Sequence, residues 1–385
     1  MNTIIQKLAR QHVLSLPAYN AGLSANHVRS KYHVENVVKL ASNENPFGAS
    51  PRVMAGLAAL DPSIISLYPE ADCSELRQML MKSTGIAAEH IVVGNGSESL
   101  IAQVCLAFLN SGDNVLTITP SFGLHMIFPQ LCKANVLTVP LTRDMEFDAE
   151  ALIHALQTNN IKILMFSNPS NPAGCMLNQT DLKNIIAAAP ADCLLVIDEA
   201  YYEYAVIDNE YPDSLSILQQ QDRPWLVLRT LSKAYGLAGL RIGYGLCYCA
   251  ELANLLQRVA SPFSVNAIAQ MAARLALQDT EHVSISVNHV LIERQRISMQ
   301  LQELGLQVAP SHANFLFFKL PTRQSALVRK LLTHGVVIKG WGEVGYADWA
   351  RVSIGSVAEN NQFLQAVRAE LLSTGNDQIQ LQHAS

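Results

Sequence analysis

The stretch that decides the fold is CLLVIDEAY, residues 193–201, in which an apolar run leads directly into Asp198 and Glu199. A continuous apolar run of this length predicts a strand that is buried on both faces, as strands are in a parallel sheet covered by helices. Five further runs share this character, and they are residues 90–94, 114–119, 162–167, 225–229 and 242–246. The chain therefore contains the strands of one large, buried sheet.

Helical patterns separate several of these runs. They cover residues 97–108, residues 180–189 with Thr180 as the expected N-cap, and residues 251–259. Strands that alternate with helices are typical of a doubly wound, mostly parallel sheet. The sequence therefore predicts an α/β fold, with a large domain that we place at residues 45–280.

The C-terminal third of the chain has a different pattern, which predicts a smaller α+β domain. A long helical pattern covers residues 281–304. The later segments are strands at residues 314–320, 336–339 and 351–354 and a helix at residues 324–333. The N-terminal segment lacks a strong strand pattern, and we expect it to pack beside this domain. We therefore assign residues 1–44 and 281–385 together to the small domain.

The composition excludes several functional classes. The 385 residues are 49% hydrophobic and 15% charged, which provides for a large core and excludes a disordered chain. The net charge of −5 gives no electrostatic basis for binding nucleic acid or an anionic membrane. No apolar run approaches the roughly 20 residues that span a bilayer, and the start of the chain has no signal-peptide cleavage site. We expect a cytoplasmic protein without nucleic-acid or membrane partners.

The seven cysteines are an odd number and form no C-x-x-C pair. Most of them lie in apolar runs, so we expect buried, reduced thiols, as in a cytosolic protein. Cys247 and Cys249 share a strand face without converging on a tetrahedral site, and the histidines show no H-E-x-x-H spacing. No metal site is expected.

Polar residues follow four of the predicted strands at the point where each strand ends. The segments are 95–97 (NGS), 168–172 (NPSNP), 198–201 (DEAY) and 229–233 (RTLSK). Ligands of open α/β sheets bind at the carboxyl ends of the strands. We therefore expect these serine, asparagine, aspartate, tyrosine and lysine side chains to form one site.

Lys233 and Asp198 carry the most specific chemistry. Lys233 lies between the apolar residues Leu231 and Ala234. A desolvated lysine loses its proton more easily, and this suits Schiff-base formation. Asp198 ends a buried run, where its carboxylate is either a helix cap or structural ion-pair partner, or the partner of a cationic ligand nitrogen.

The segment 94–99 (GNGSES) opens a helix after a strand, so its backbone N–H groups can bind an anion. It does not complete the dinucleotide fingerprint G-x-G-x-x-G, because Ser99 occupies the third glycine position, and this disfavours a nicotinamide-dependent dehydrogenase. Arg241 can reach the same anion as Ser232, as a forked donor. Arg351 opens a strand of the small domain, where it can clamp a substrate carboxylate.

Taken together, these groups fit one cofactor, pyridoxal phosphate. Its aldehyde requires a lysine, and its pyridinium nitrogen requires a carboxylate so that the ring can accept electrons. Its phenolic oxygen requires asparagine and tyrosine donors, and its phosphate requires a helix N-terminus with serine and arginine. The joint pattern is far more specific than any of its parts.

Three segments resemble the fold-type I, class I/II aminotransferases, and they are 167–174 (SNPSNPAG), 198–201 (DEAY) and 230–241 (TLSKAYGLAGLR). The resemblance covers nearly the whole chain in order, and it implies an aspartate-aminotransferase-like fold that carries pyridoxal phosphate. By this resemblance Lys233 would form the aldimine with the cofactor, and Asp198 would pair with the pyridine nitrogen. Asn171 and Tyr201 would hold the phenolic oxygen. Phe122 would stack on the ring.

The same resemblance implies how the cofactor phosphate is held. The backbone amides of Ser97 and Glu98 would bind it, together with Ser232 and Arg241. Tyr68 would reach the phosphate of the neighbouring subunit, which implies a homodimer with shared active sites. The implied reaction is a ping-pong transamination between a small-molecule amine and a 2-oxo acid, with 2-oxoglutarate as the expected acceptor.

Within this family the chain looks most like the histidinol-phosphate aminotransferases. The supporting segments are 40–48 (LASNENPFG), 68–70 (YPE), 311–316 (SHANFL) and 351–355 (RVSIG). This resemblance implies histidinol phosphate as the amine, in histidine biosynthesis. It also implies substrate contacts for Tyr19, Asn45, Lys339 and Arg351.

Three residues depart from that branch. Lys339 stands where the branch commonly has an arginine, and lysine binds phosphate without the bidentate fork. Phe263 replaces a tyrosine that is often seen at a substrate-facing position, and Trp341 adds an aromatic face. These departures keep alternatives open: an aromatic or other amino-acid aminotransferase, or a specialised lyase, decarboxylase or cyclase on the same scaffold.

Overall fold

The computed structural model describes residues 3–16, 22–321 and 326–382. Its α-helices are α1 (Ile4–Leu8), α2 (Gln11–Leu14), α3 (Ala25–Tyr32), α4 (Pro51–Ala58), α5 (Ser74–Thr84), α6 (Ser97–Phe108), α7 (Leu124–Leu131), α8 (Ala149–Thr158), α9 (Gln179–Ala188), α10 (Tyr202–Ala205), α11 (Ser214–Gln219), α12 (Ala250–Val259), α13 (Ala267–Leu277), α14 (Thr280–Glu303), α15 (Leu327–Thr333) and α16 (Val357–Gln382). Short 3-10 helices lie at Pro62–Ile65, Ala88–His90 and Ala238–Leu240.

The strands form three sheets. They are β1 (Val38–Lys39), β2 (Ile91–Gly94), β3 (Asn114–Thr119), β4 (Asn135–Pro140), β5 (Ile161–Ser167), β6 (Leu194–Asp198), β7 (Trp225–Thr230), β8 (Gly243–Cys247), β9 (Phe315–Lys319), β10 (Val336–Val337), β11 (Lys339–Gly340) and β12 (Trp349–Ser353). The largest sheet has seven strands in the order β2-β8-β7-β6-β5-β3-β4.

The seven-stranded sheet is mostly parallel, which confirms the predicted fold class. Strands β3 to β7 pair in parallel, and β8 is antiparallel to both of its neighbours, β2 and β7. The central strands β6 and β7 are buried along their whole length, because helices cover both faces of the sheet. The six apolar runs in the sequence correspond to β2, β3, β5, β6, β7 and β8, each within one or two residues of its expected bounds.

Within the large sheet the sequence patterns missed one strand, β4, and they placed one helix cap wrongly; they also missed the short strand β1. Strand β4 lies at the edge of the sheet, where most of its residues are exposed or half-buried, so it lacks the continuous apolar run of the inner strands. The expected N-cap Thr180 is wrong, because α9 begins at Gln179. The cap is Asn178, whose side-chain oxygen accepts the backbone N–H of Asp181 at 2.9 Å.

Two smaller sheets lie outside the large one, and one of them joins the two ends of the chain. Strands β11, β12 and β9 form an antiparallel sheet, and β1 pairs in parallel with β10. Val38 and Leu40 therefore share a buried core with Phe315 and Val352. The division into residues 45–280 and residues 1–44 with 281–385 stays a prediction.

No helix within the described residues is long and apolar enough to cross a membrane. The same residues contain no group of three histidine, cysteine, aspartate or glutamate side chains that could hold a metal ion. All seven cysteines are free thiols, and five of them are buried.

A buried ion pair lies behind the ends of β6 and β7. Arg229 and Glu199 are 6% and 1% exposed, and Arg229 Nε donates to Glu199 Oε2 at 2.8 Å. The Tyr211 hydroxyl lies 3.0 Å from Glu199 Oε1, and the Arg229 guanidinium lies 3.5 Å from the centre of the Tyr202 ring. This cluster holds the chain directly after Asp198 against β7.

Replacing Arg229 with alanine should leave the Glu199 carboxylate buried without its cation. We expect Arg229→Ala to lower the free energy of unfolding by about 3–5 kcal/mol, measured by urea denaturation. The matched control is Lys319→Ala, because Lys319 pairs with Asp348 at 3.4 Å on the surface. That control should cost less than about 1 kcal/mol. Equal losses in the two variants would contradict a structural role for the buried pair.

Candidate active site

A cleft of about 1230 Å³ lies between the carboxyl edge of the seven-stranded sheet and the small antiparallel sheet. The structure brings most of the residues predicted from the sequence to this cleft. Those that line it are Ser97, Glu98, Phe122, Asn171, Asp198, Tyr201, Ser232, Lys233, Arg241, Lys339 and Arg351. Tyr19 lies outside the described residues.

Lys233 follows β7 and points its amine into the cleft. Its Nζ donates to the carbonyl oxygen of Ser42 at 3.1 Å. Burial, and then the nearby Arg351 guanidinium, lower the pKa of Lys233 to about 8. A substantial neutral fraction is therefore present near neutral pH, and only the neutral amine can attack an aldehyde.

Asp198 ends β6 and is 3% exposed. Its Oδ1 accepts the backbone N–H of Ala200 at 3.1 Å, and its Oδ2 lies 3.3 Å from His125 Nε2. His125 Nδ1 lies 3.5 Å from the hydroxyl oxygen of Ser121. His125 was not among the residues predicted from the sequence. The only signal for it was a single histidine in the otherwise apolar start of α7.

The small-sheet side holds the polar ends of Tyr201 and Asn171. Asn43 Nδ2 donates to the Tyr201 hydroxyl at 2.9 Å, and Arg351 Nη1 donates to Asn171 Oδ1 at 2.5 Å. Arg351 Nη2 also donates to the carbonyl oxygen of Ala41 at 2.8 Å. The predicted clamp Arg351 thus already bridges the small sheet to the loop after β5.

Asn45 does not line the cleft, whereas Asn43 does. Asn45 Nδ2 donates to the carbonyl oxygen of Ala234 at 2.8 Å, and its Oδ1 accepts the backbone N–H of Phe47. Its side chain therefore holds the backbone directly after Lys233. The sequence pattern did not separate the two asparagines, because they stand two residues apart in the same motif.

One end of the cleft is built to receive an anion. The first turn of α6 lines it, and Arg241 Nη2 lies 3.1 Å from Glu98 Oε1 at the same end. A Cβ atom on Gly243 would lie closer to the backbone nitrogen of Ser97 than van der Waals contact allows. Glycine at this position lets β8 approach the helix N-terminus, whose N–H groups favour anions.

Two cations and an indole ring line the opposite end. Lys339 and Arg351 are direct partners on the antiparallel strands β11 and β12. Lys339 Nζ lies 5.9 Å from the centre of the Trp341 ring, and the Arg351 guanidinium lies 5.8 Å from it. Burial, and then Arg351, lower the pKa of Lys339 to about 8.

Tyr68 lies away from the cleft of its own chain. It is 83% exposed, and its ring stacks on Phe263 with the ring centres 4.7 Å apart. Phe263 is itself 43% exposed. Both residues thus lie on the surface, and so do Ile65 and Leu67, which precede Tyr68 in the chain and are 79% and 67% exposed.

The residues of the cleft fit pyridoxal phosphate. An amine of lowered pKa, a buried carboxylate, an asparagine with a tyrosine, and a helix N-terminus beside an arginine are the groups that its aldehyde, ring nitrogen, phenolic oxygen and phosphate require. Phe122 lines the same space as an aromatic surface. The cleft therefore has suitable groups both for the ring of the cofactor and for its phosphate.

Closing the gap at Gly243 should weaken the anion end. We expect Gly243→Val to raise the dissociation constant for pyridoxal phosphate at least about tenfold, because the added side chain must displace the first turn of α6. The matched control is Gly239→Ala, since a Cβ atom at Gly239 would meet no heavy atom within 4 Å. Binding can be followed by the absorbance of the cofactor, and unchanged affinity in Gly243→Val would refute this assignment.

Comparison with known proteins gives the family. The profile described as "Aminotransferase class I and II" matches residues 35–367. Histidinol-phosphate aminotransferase 3 of Rhizobium meliloti (strain 1021) is 42% identical over 362 residues, which are 93% of this chain and 96% of that protein. Histidinol-phosphate aminotransferase of Moorella thermoacetica is 34% identical, over 93% of this chain and 92% of its own.

Solved structures show the same architecture. The histidinol-phosphate aminotransferase of Sinorhizobium meliloti, solved in complex with pyridoxal-5'-phosphate, superimposes with a TM-score of 0.84 at 26% identity, over 94% of this chain and 97% of that one. The aspartate aminotransferase of Thermotoga maritima has a TM-score of 0.80 at 20% identity, over 94% and 100% of the two chains, and shows the fold alone. The chain therefore belongs to the class I and II aminotransferases, which depend on pyridoxal phosphate.

Proposed function

We propose that the chain transfers the amino group of histidinol phosphate to 2-oxoglutarate, as a step of histidine biosynthesis. One observation carries this proposal. Lys339 and Arg351 stand opposite each other on β11 and β12, at the end of the cleft away from the anion-binding turn. Two cations near one reaction centre suit substrates that carry two negative charges, alternately a phosphate ester and a dicarboxylate. The names of the relatives at 34–42% identity agree with this choice.

The cofactor would be held by the residues at the floor of the cleft. Lys233 would bind its aldehyde carbon, Asp198 its ring nitrogen, and Asn171 and Tyr201 its phenolic oxygen. Phe122 would cover one face of its ring. When bound, the cofactor supplies an electron sink for the pair of electrons left on the substrate Cα.

The cofactor phosphate would be held at the opposite end of the ring. The backbone N–H groups of Ser97 and Glu98, the hydroxyl of Ser232 and the guanidinium of Arg241 are its proposed donors. These groups offer neutral and charged hydrogen bonds to one dianion, so binding there would be strong and well oriented.

Lys233 would also transfer the proton of the substrate Cα. We infer that its amine would take the proton from the substrate Cα and would return it two atoms away, to the carbon beyond the transferred nitrogen, as a 1,3-proton shift requires. The lowered pKa of Lys233, about 8, places the amine close to the pH at which a general base works best. Asp198 would hold a proton on the ring nitrogen, and His125, whose Nε2 lies 3.3 Å from Asp198 Oδ2, would keep that carboxylate in place.

Substrate recognition would fall to the small sheet. Lys339 would bind the phosphate of the amine, and Arg351 the carboxylate of the 2-oxo acid. Asn45 serves the site indirectly through its bond to the Ala234 carbonyl. A contact between Tyr19 and the substrate stays a prediction.

We propose a homodimer whose active sites are shared. The exposed apolar surface at Ile65, Leu67 and Tyr68 supports it, because a stable monomer rarely exposes such a cluster. Tyr68 would then reach the cofactor phosphate of the neighbouring subunit. We also propose the cytoplasm as its compartment, since all seven cysteines are free thiols, as expected under reducing conditions.

One observation favours a second candidate, an aromatic amino-acid aminotransferase. The indole of Trp341 lines the cleft beside Lys339 and Arg351, and it would pack against an aromatic substrate side chain. Phe263 agrees with a less polar pocket only if it faces the cleft of the neighbouring subunit. We prefer histidinol phosphate, because its aromatic ring suits the indole and its phosphate suits the cations.

The role of Lys233 is directly testable. Borohydride reduction of the enzyme with its cofactor, followed by peptide mapping, should place the pyridoxyl group on Lys233. Lys233→Ala should fold normally and lose turnover by several orders of magnitude, because both the bond to the aldehyde and the base are removed. Lys183 and Lys319 serve as controls, and a label on either of them would overturn the mechanism.

The role of Lys339 is testable through the substrate. We expect Lys339→Ala to raise KM for histidinol phosphate by about 10–100-fold, equivalent to roughly 1.5–3 kcal/mol of lost charge-assisted hydrogen bonding. Lys339→Arg should retain the activity. Turnover of free aromatic amino acids, which carry no phosphate, is the control and should barely change.

The same residue predicts a pH dependence. Because the pKa of Lys339 is lowered to about 8, its positive charge is present below that pH and is lost as the pH rises through it. KM for histidinol phosphate should therefore rise above about pH 8 in the wild-type enzyme. Lys339→Arg should remove this rise, since arginine stays charged. A parallel rise in both enzymes would contradict phosphate binding by Lys339.

A further inference from the structure

The loop between β11 and β12 crosses from the small sheet to the large one. Glu343, near its middle, accepts two hydrogen bonds from the turn after β3. Its Oε2 accepts the backbone N–H of Ser121 at 3.2 Å, and its Oε1 accepts the hydroxyl of Thr119. The Tyr346 hydroxyl adds a third bond, to the carbonyl oxygen of Thr119, at 2.8 Å. The loop is thus fastened to the opposite wall of the cleft.

The same carboxylate also fastens an aromatic side chain. Trp341 Nε1 donates to Glu343 Oε2 at 2.9 Å. The indole of Trp341 lines the cleft and lies within 6 Å of both Lys339 and Arg351. One carboxylate therefore connects the indole that flanks both substrate-side cations to the backbone of Ser121.

Backbone hydrogen bonds and the buried side chains of Trp341 and Tyr346 hold the two ends of the loop, but its tip has little to fix its path. Val344, at its tip, is 95% exposed. A Cβ atom at Gly342 or Gly345 would meet no heavy atom within 4 Å, and Gly345 has a φ of +89°, which side chains rarely adopt. Glycines on both sides of Glu343 give the backbone freedom. The position of the tip therefore depends largely on the bonds that Glu343 and Tyr346 make to Thr119 and Ser121.

That turn belongs to the catalytic wall. Ser121 precedes Phe122, the proposed cover of the cofactor ring, and its hydroxyl oxygen lies 3.5 Å from His125 Nδ1. His125 in turn lies against Asp198. A bond from Glu343 to Ser121 thus connects the substrate-side loop with the side chains that orient the cofactor.

We propose that Glu343 is a positioning residue that determines substrate specificity. It holds Trp341 and the loop against the turn after β3, and this sets the affinity for substrates that combine an aromatic ring with a distal anion. Glu343 acts through these hydrogen bonds and does not touch the reacting atoms. Only the identity of the test substrate rests on the function proposed above.

A glutamine at this position separates hydrogen bonding from charge. Its amide oxygen can take the place of Oε2 and accept both N–H groups, of Ser121 and Trp341. Its amide nitrogen can then donate to the Thr119 hydroxyl oxygen, which is free to reverse its role. We call the hydrogen bonds of Glu343 to Thr119, Ser121 and Trp341 the latch. If these bonds and not the charge position the loop, Glu343→Gln should keep the substrate affinity that Glu343→Ala loses.

The kinetic test compares three variants of the holoenzyme with histidinol phosphate and 2-oxoglutarate. Glu343→Ala should raise KM for histidinol phosphate about tenfold and leave kcat within about twofold. Glu343→Gln should stay within about twofold of wild type in both constants. The control is Val344→Ser, in the same loop, which should change neither constant. An unchanged KM in Glu343→Ala, or equal losses in the Ala and Gln variants, would overturn the proposal.

A second measurement does not depend on any substrate. Hydrogen exchange of the holoenzyme should be followed in peptides that cover residues 119–124 and 341–349. Glu343→Ala should speed exchange of the Ser121 amide about tenfold or more, because its acceptor is lost, while Glu343→Gln should not. Suppose that neither the wild type nor any variant turns over histidinol phosphate, but that the Ser121 amide exchanges faster in Glu343→Ala than in Glu343→Gln. The proposed substrate is then wrong, and the role of Glu343 in holding the loop is still supported. Equal exchange in all forms would overturn the latch.

Discussion

The whole site depends on holding the amine of Lys233 where water has little access. Burial lowers its pKa, and the neighbouring Arg351 lowers it further. The structure must therefore keep a guanidinium beside the lysine amine although the two charges repel each other. Hydrogen bonds to backbone carbonyl oxygens make this possible, with Ser42 serving Lys233 and Ala41 serving Arg351. A reactive amine is therefore a product of the fold around it.

Those two acceptors belong to one short segment, residues 41–45, which follows β1. Within it, Asn43 donates a hydrogen bond to the Tyr201 hydroxyl and accepts one from the hydroxyl of Ser353, which is 310 residues away in the sequence. Asn45 donates to the carbonyl oxygen of Ala234, directly after Lys233. The segment lies between the two sheets because β1 pairs with β10 from the far end of the chain. The cleft is thus assembled from both ends of the chain, and neither sheet could position the catalytic groups alone.

Most of the large sheet could be predicted, and so could most residues that line the cleft, because both follow from local patterns. Buried strands have continuous apolar runs, and polar residues at their carboxyl ends converge for geometric reasons, which gave Asp198 and Lys233. Edge strand β4 lacked such a run. His125 and Glu343 are isolated polar residues whose partners lie 73 and 222 residues away, on Asp198 and Ser121. Only the folded structure reveals such contacts.

If this cleft converts a phosphate-bearing amine, the cofactor absorbance should show directly which amines react. Purified enzyme with its cofactor should be mixed separately with histidinol phosphate, glutamate, phenylalanine and arginine, and the change of cofactor absorbance from the aldehyde to the amine form recorded for each. We expect rapid, complete conversion with histidinol phosphate and with glutamate, and much slower conversion with the other two. Conversion by phenylalanine or arginine but not by histidinol phosphate would contradict it.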